Sequence, residues 1–275
     1  MQGVVMCDLD GTIYFGDRGF APGLMETFAA LNAGQVTTTI NTARHARTGR
    51  VLAATLGLKN PYACLTGGVI LKPPAWKEDD LDIPSFPEPN EVLQGYQMSK
   101  KLVSDLLLLA ESLGLGGRVF YDRDVCLYGR QQLYVKWTED IELESLDEVK
   151  DGALQMFITG YDHEQGERVA EQLKSMSNEC SYYLFHHQDG FEIAVNPKGV
   201  TKAKLVDFYL ATYRIPLENI VAIGDSPGDA PMIKAAGVGV ATALAPDEVK
   251  AVADVVLDTP ALDAVPNFLR RHFDV

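Results

Sequence analysis

Residues 3–9 of this 275-residue chain form a short apolar run that ends in two carboxylates, a glycine and a threonine, Asp8-Leu9-Asp10-Gly11-Thr12. A continuous apolar run of that length is what a strand buried on both faces requires, and such strands belong to parallel sheets covered by helices. The next residues fit that frame. Leu24, Phe28 and Leu31 recur at helical spacing within 22–33, and Gly34 stands where it stops the helix. Residues 36–40, Val-Thr-Thr-Thr-Ile, are β-branched and predict a second strand, after which Asn41 and Thr42 are placed to cap a helix over about 43–56. A short apolar segment at 63–65 then leads into Thr66-Gly67-Gly68. Strand, helix, strand, helix is the order of a βαβ sheet.

The pattern changes near Lys72, where Pro73, Pro74, Pro84, Pro87 and Pro89 sit among acidic residues and mark a connector. An apolar helix is expected from about 92 to 113. Strand candidates follow at 118–121, 125–128, 154–158, 182–185 and 191–195, with a helix at 164–176. This reads as an α+β module set into an α/β chain. The α/β pattern resumes at Gly199, with a helix at 201–213, a strand at 220–223, a helix at 230–236 and strands at 238–241 and 254–257. The expected division is a core of 1–73 and 197–275 around an insert of 74–196.

The net charge of −14 repels the phosphates of nucleic acids and anionic lipids, so neither is an expected partner. No stretch of about 20 apolar residues is present to span a membrane. The N-terminal residues lack a basic leader, and Asp8 interrupts any signal-like apolar region. Cys7, Cys64, Cys126 and Cys180 show no CxxC spacing and read as buried free thiols of a reducing compartment. The expected location is the cytoplasm.

Four segments carry chemistry, each beside an expected strand end or helix start. Ligands of open parallel sheets bind at the carboxyl ends of the strands. There Asp8 can attack phosphorus, while Asp10 protonates a leaving oxygen and later activates water. Gly11 permits the tight loop and Thr12 donates hydrogen bonds, and both are expected among the phosphate-binding groups with Thr42, Ala43 and Lys202. Thr42, with the backbone N–H groups of Ala43 and its neighbours, makes an anion site, and Arg44 reads as an exposed helix residue. Lys202 opens a helix and stabilises transferred charge, with Lys198 and Lys204 as weaker competitors. In Gly224-Asp225-Ser226-Pro227-Gly228-Asp229, the carboxylates Asp225 and Asp229 join Asp8 as hard oxygen ligands suited to Mg2+. A nucleophile, an acid/base, a hydroxyl, a cation and a metal site are what phosphoryl transfer needs.

In these segments the chain resembles the haloacid dehalogenase superfamily, subclass IIB, the Cof-like hydrolases. The resemblance rests on Asp8 to Thr12, Thr42, Lys202 and the Asp225–Asp229 segment, with Thr66-Gly67-Gly68 similar to the family's Asn-Gly segment. Ala43, Gly68 and Gly228 depart from the usual residues. The resemblance implies a Rossmann-like core with a parallel sheet flanked by helices and an inserted α/β cap. It also implies Mg2+ held by Asp8, Asp225 and the backbone carbonyl of Asp10. The expected activity is Mg-dependent hydrolysis of a small phosphorylated metabolite, a sugar phosphate or similar, through an aspartyl-phosphate. A phosphomutase using the same residues is the nearest alternative, and an idle phospholigand-binding protein a further one. Substrate choice is expected to lie in the insert, with Arg118, Arg123, Arg130, Tyr134, Lys136, Trp137, His186 and His187 as candidates.

Overall fold

The computed structural model describes residues 2–74, 88–129 and 140–275. The chain forms two compact units, Met1–Leu93 with Thr201–Val275, and Gln94–Val200. These breaks fall later than the 73/74 and 196/197 expected from sequence. The first does so because Val92–Gly95 is a strand that joins a small sheet with Tyr62–Cys64 and Val69–Leu71. Residues 92–113 are therefore not one helix. The helix is Lys100–Ser112, and Ser99 caps it by accepting from the Leu102 N–H at 3.3 Å. Pro84, Pro87, Arg130, Tyr134, Lys136 and Trp137 lie outside the described residues.

The first unit is built on a five-stranded parallel sheet. Its spatial order is Val255–Val256, Val238–Ala241, Ile220–Gly224, Gly3–Cys7 and Val36–Ile40. Every residue of Gly3–Cys7 and Ile220–Gly224 is buried, as continuous apolar runs require. Val4 and Met6 pack against Leu205, Val206 and Tyr209 of the helix Ala203–Tyr213. The helix Leu24–Ala33 lies against the strand Val36–Ile40 and against a C-terminal helix, Ala264–Phe273, which the sequence reading did not anticipate. From Gly3–Cys7 the chain steps outward to Val36–Ile40; from Ile220–Gly224 it steps the other way. The order reverses between those two central strands, and this is where open α/β sheets bind ligands.

The second unit is the expected α+β module. Six strands lie in the order Cys180–His187, Gly190–Pro197, Gln155–Gly160, Gly117–Phe120, Val125–Tyr128 and Ile141–Glu142. The helices Lys100–Ser112 and His163–Ser175 share one core with the Val119, Met156, Ile158, Phe191, Ile193 and Val195 side chains. Both helices thus cover the same face of the sheet. All four cysteines are buried and free, as expected of thiols that serve packing. Among the described residues, no helix is long and apolar enough to cross a membrane.

Candidate active site

Asp8 leaves the sheet at the reversal point, its N–H bonded to the Ile223 carbonyl at 2.9 Å. The following loop is tight because the N–H groups of Thr12, Ile13 and Tyr14 all converge on the Leu9 carbonyl. Gly11 has φ +83°, and a Cβ there would run into the Asp225 carboxylate. Only glycine meets both demands. Thr12 is buried and donates its hydroxyl to Asp225 Oδ1 at 2.7 Å. Thr12 and Gly11 were expected among the phosphate-binding groups. In the structure the Thr12 hydroxyl and N–H serve Asp225 and Leu9, and the Gly11 N–H donates to the Tyr14 carbonyl.

Lys202 is 2% exposed, and its ammonium lies 2.5 Å from both Asp8 Oδ1 and Asp229 Oδ1. Its competitors are elsewhere: Lys198 donates to the Ser177 carbonyl, and Lys204 pairs with Asp207. The second oxygen of Asp229 accepts from the Ser226 hydroxyl and from the N–H groups of Asp225 and Ser226. Asp229 therefore ties the 224–229 loop to Lys202.

Asp8, Asp225 and Asp229 offer carboxylate oxygens that all lie within 4.8 Å of one another. Three carboxylates face one ammonium, so the cluster is short of positive charge. Burial, then Asp229, push the Asp8 carboxyl well above the usual carboxylate range, with Lys202 opposing. The same two causes raise Asp225 to about 6, against the Thr12 hydroxyl and Lys202. For Lys202 burial favours the neutral amine, but Asp229 and Asp8 outweigh it and hold the group charged. An all-oxygen set with excess negative charge fits a hard divalent cation, and Mg2+ needs only one or two such carboxylates besides water and substrate. Asp8 and Asp225 are the fitting pair, because both oxygens of Asp229 are already engaged. The Asp10 side chain is not in this cluster, so any part it takes in holding a metal falls to its backbone carbonyl.

Asp10 instead faces the second segment. Arg44 donates Nε and Nη2 to the two oxygens of Asp10, each at 2.7 Å, and its guanidinium sits 5.1 Å from the Tyr14 ring centroid. The sequence reading missed this role for Arg44. It assumed a helix from about 43, whereas the helix is Ala46–Thr55, capped by His45, whose Nδ1 accepts from the Arg47 N–H. Residues 42–44 form a turn before it. Thr42 is buried within that turn, its hydroxyl accepting from the Arg44 N–H at 3.1 Å and its N–H donating to the Ala63 carbonyl. Ala43 is half-buried between these two.

Two further features hold the turn and the lysine together. Asn41 is fully buried and donates its amide to the Lys202 carbonyl at 2.6 Å. Leu65, Thr66 and Gly67 all have positive φ, of 55°, 55° and 84°. Thr66 donates its N–H to the Thr42 carbonyl, and Gly67 packs so closely on the Thr201 carbonyl that no Cβ fits. Left-handed backbone at a leucine and a threonine costs roughly 1–2 kcal/mol each. Strain of that kind persists where the surroundings fix it, commonly at functional sites.

A family model described as haloacid dehalogenase-like hydrolase matches residues 5–269. The chain belongs to the haloacid dehalogenase-like hydrolases. It is accordingly an enzyme, of that family's phosphoric monoester hydrolase kind. A phosphoglycolate phosphatase of Methanopyrus kandleri is 27% identical over 98% of this chain and 97% of its own. A pyridoxal phosphate phosphatase of Escherichia coli is 24% identical over 98% of each. Among solved structures, a sugar phosphatase of haloacid dehalogenase subclass IIB shares the fold with a TM-score of 0.76 at 20% identity, over 99% of each chain.

Proposed function

We propose that this enzyme is a Mg2+-dependent phosphatase that hydrolyses a small phosphorylated metabolite, a sugar phosphate or similar, through an aspartyl-phosphate on Asp8. The observation that carries this reading is the buried Lys202 ammonium held between Asp8 and Asp229 beside Asp225. A carboxylate at a strand end attacks an anionic phosphate only if the local charge is offset, and Lys202 does part of that. Mg2+ bound by Asp8, Asp225 and the Asp10 carbonyl would supply the remaining positive charge and polarise the phosphoryl oxygens. The small phosphorylated substrates named for the relatives support the substrate class.

In the first step Asp8 attacks phosphorus while Asp10, in its acid form, protonates the departing alkoxide. Thr42, whose hydroxyl proton is not used by the Arg44 N–H it accepts, and the Ala43 N–H hold phosphoryl oxygens. In the second step the Asp10 carboxylate takes a proton from water, which attacks the acyl phosphate and releases phosphate from Asp8. Arg44 holds Asp10 through both of its oxygens and must loosen that grip on at least one of them in each step. The insert then selects the leaving group as a cap, and the four free thiols suit a cytoplasmic setting.

The test is turnover of p-nitrophenyl phosphate. Activity should vanish in EDTA, return with Mg2+, and be abolished by Asp8→Asn. Wild-type turnover by Asp8→Asn protein would refute the mechanism. With a sugar phosphate, release of inorganic phosphate supports hydrolysis, whereas an isomerised sugar phosphate without release would mark a mutase.

A further inference from the structure

His163 is the first residue of the helix His163–Ser175, and His186 lies near the end of the edge strand Cys180–His187. Their Nδ1 atoms face each other at 2.9 Å, with ring centroids 5.1 Å apart. The other nitrogen of His186, Nε2, lies 3.1 Å from Glu167 Oε1, one helical turn beyond His163. A carboxylate only accepts, so Glu167 assigns the His186 proton to Nε2 and leaves the Nδ1 lone pair aimed at His163. A carboxylate on the far nitrogen of an imidazole is the support that metal-bound histidines ordinarily have.

We propose that His163 and His186 form a transition-metal site on the second unit, for a late first-row divalent ion such as Zn2+ or Cu2+. Metal–nitrogen bonds of about 2.0–2.1 Å put two imidazole nitrogens about 2.9 Å apart at a right angle and about 3.3 Å apart at the tetrahedral angle. The observed separation meets the first and needs a shift of a few tenths of an ångström for the second. No proton is lost when both rings are neutral: His186 is already the Nε2–H tautomer, and His163 moves its proton from Nδ1 to Nε2. The His186 side chain is 47% exposed, which leaves water free to complete the coordination. Asp162, Glu164 and Glu167 at the start of the helix add negative charge nearby. Imidazole ligands select against Mg2+, so this site and the all-oxygen cluster of the first unit take different ions. The inference is independent of the proposed reaction.

The experiment titrates ZnCl2 into the full chain by calorimetry in excess Mg2+, and records the Cu2+ electron paramagnetic resonance spectrum. Asp225→Asn protein is run in parallel to take one carboxylate from the acidic cluster. We expect binding that survives Asp225→Asn, is lost in His163→Ala and in His186→Ala, and weakens about 10-fold or more in Glu167→Gln. The copper spectrum should carry hyperfine structure from two nitrogens. Circular dichroism in EDTA establishes that the variants are folded, as expected for exposed positions. No zinc uptake by the wild-type chain, or uptake unchanged in folded His163→Ala or His186→Ala protein, would overturn the site.

Discussion

Replacing Lys202 by methionine removes the cation bonded to the buried carboxylates of Asp8 and Asp229 while keeping a side chain of similar length. Asp8 and Asp229, 5% and 0% exposed, would then face each other uncompensated. Removing one partner from a buried charge pair costs about 3–5 kcal/mol. The loss depends on pH, and its sign follows from the acids. Asp8 is already raised by burial and Asp229, and Lys202 is what opposes that rise. Without the lysine it rises further, so the folded variant holds a proton that the unfolded chain releases above about pH 4. Stability of the variant therefore falls as pH increases, by about 1.4 kcal/mol per pH unit for each such proton. Lys202 itself adds no slope there, because a lysine raised in the folded state keeps its contribution until the pH passes its unfolded value of about 10.4. Urea unfolding followed by far-ultraviolet circular dichroism in EDTA, at about pH 5.5 and about pH 8, should give a wild-type-to-variant gap that is wider at the higher pH, because the wild-type Asp8, opposed by Lys202, gives up its proton at a lower pH than the variant's. Phosphatase activity should be lost at both. A gap that is absent, or equal at the two pH values, would refute the charge balance described for this cluster.

Gly11→Ala should cost about 1–2 kcal/mol through its left-handed backbone. Its Cβ also displaces Asp225, so the Mg2+ concentration needed for half activation should rise about 10-fold, read by metal titration of turnover. Arg44→Ala frees Asp10, and we expect kcat to fall about 10-fold or more with little change in melting temperature, because the pair is partly exposed. Glu192 in the second unit is pushed up to about 7 by burial, with Arg118 opposing. Its folded form keeps a proton that the unfolded chain loses, so its effect on stability worsens between about pH 4.5 and about pH 7. Glu192→Gln should remove that decline and gain on the order of 2 kcal/mol near pH 8 relative to pH 5 in urea melts; a variant less stable at the higher pH would contradict this.

Much of the core was legible because local rules suffice there. The strand Val36–Ile40 is a β-branched run, and Val238–Ala241 is bounded by Gly237 and a small-residue turn. The acids after the two central strands are where a parallel sheet exposes functional groups. Local rules misled where two patterns overlap. Residues 92–113 are apolar enough to extend the helix backwards, yet Val92–Gly95 pairs as a strand and Ser99 sets the real start. The same happened at 43, where Thr42 has a capping residue's chemistry but His45 caps the helix.

The sequence by itself determined the inventory: a parallel α/β core, an α+β insert, and acids, a threonine and a lysine at strand ends and helix starts. Tertiary structure alone decided which of those groups touch. It put Lys202 between Asp8 and Asp229, gave the Thr12 hydroxyl to Asp225, and turned Arg44 from a presumed surface residue into the partner of Asp10. The reason is physical. Strand and helix periodicity is set by neighbours a few positions away, whereas Asp8 and Lys202 meet only because the sheet order brings the first strand beside Ile220–Gly224. No spacing along the chain records that adjacency.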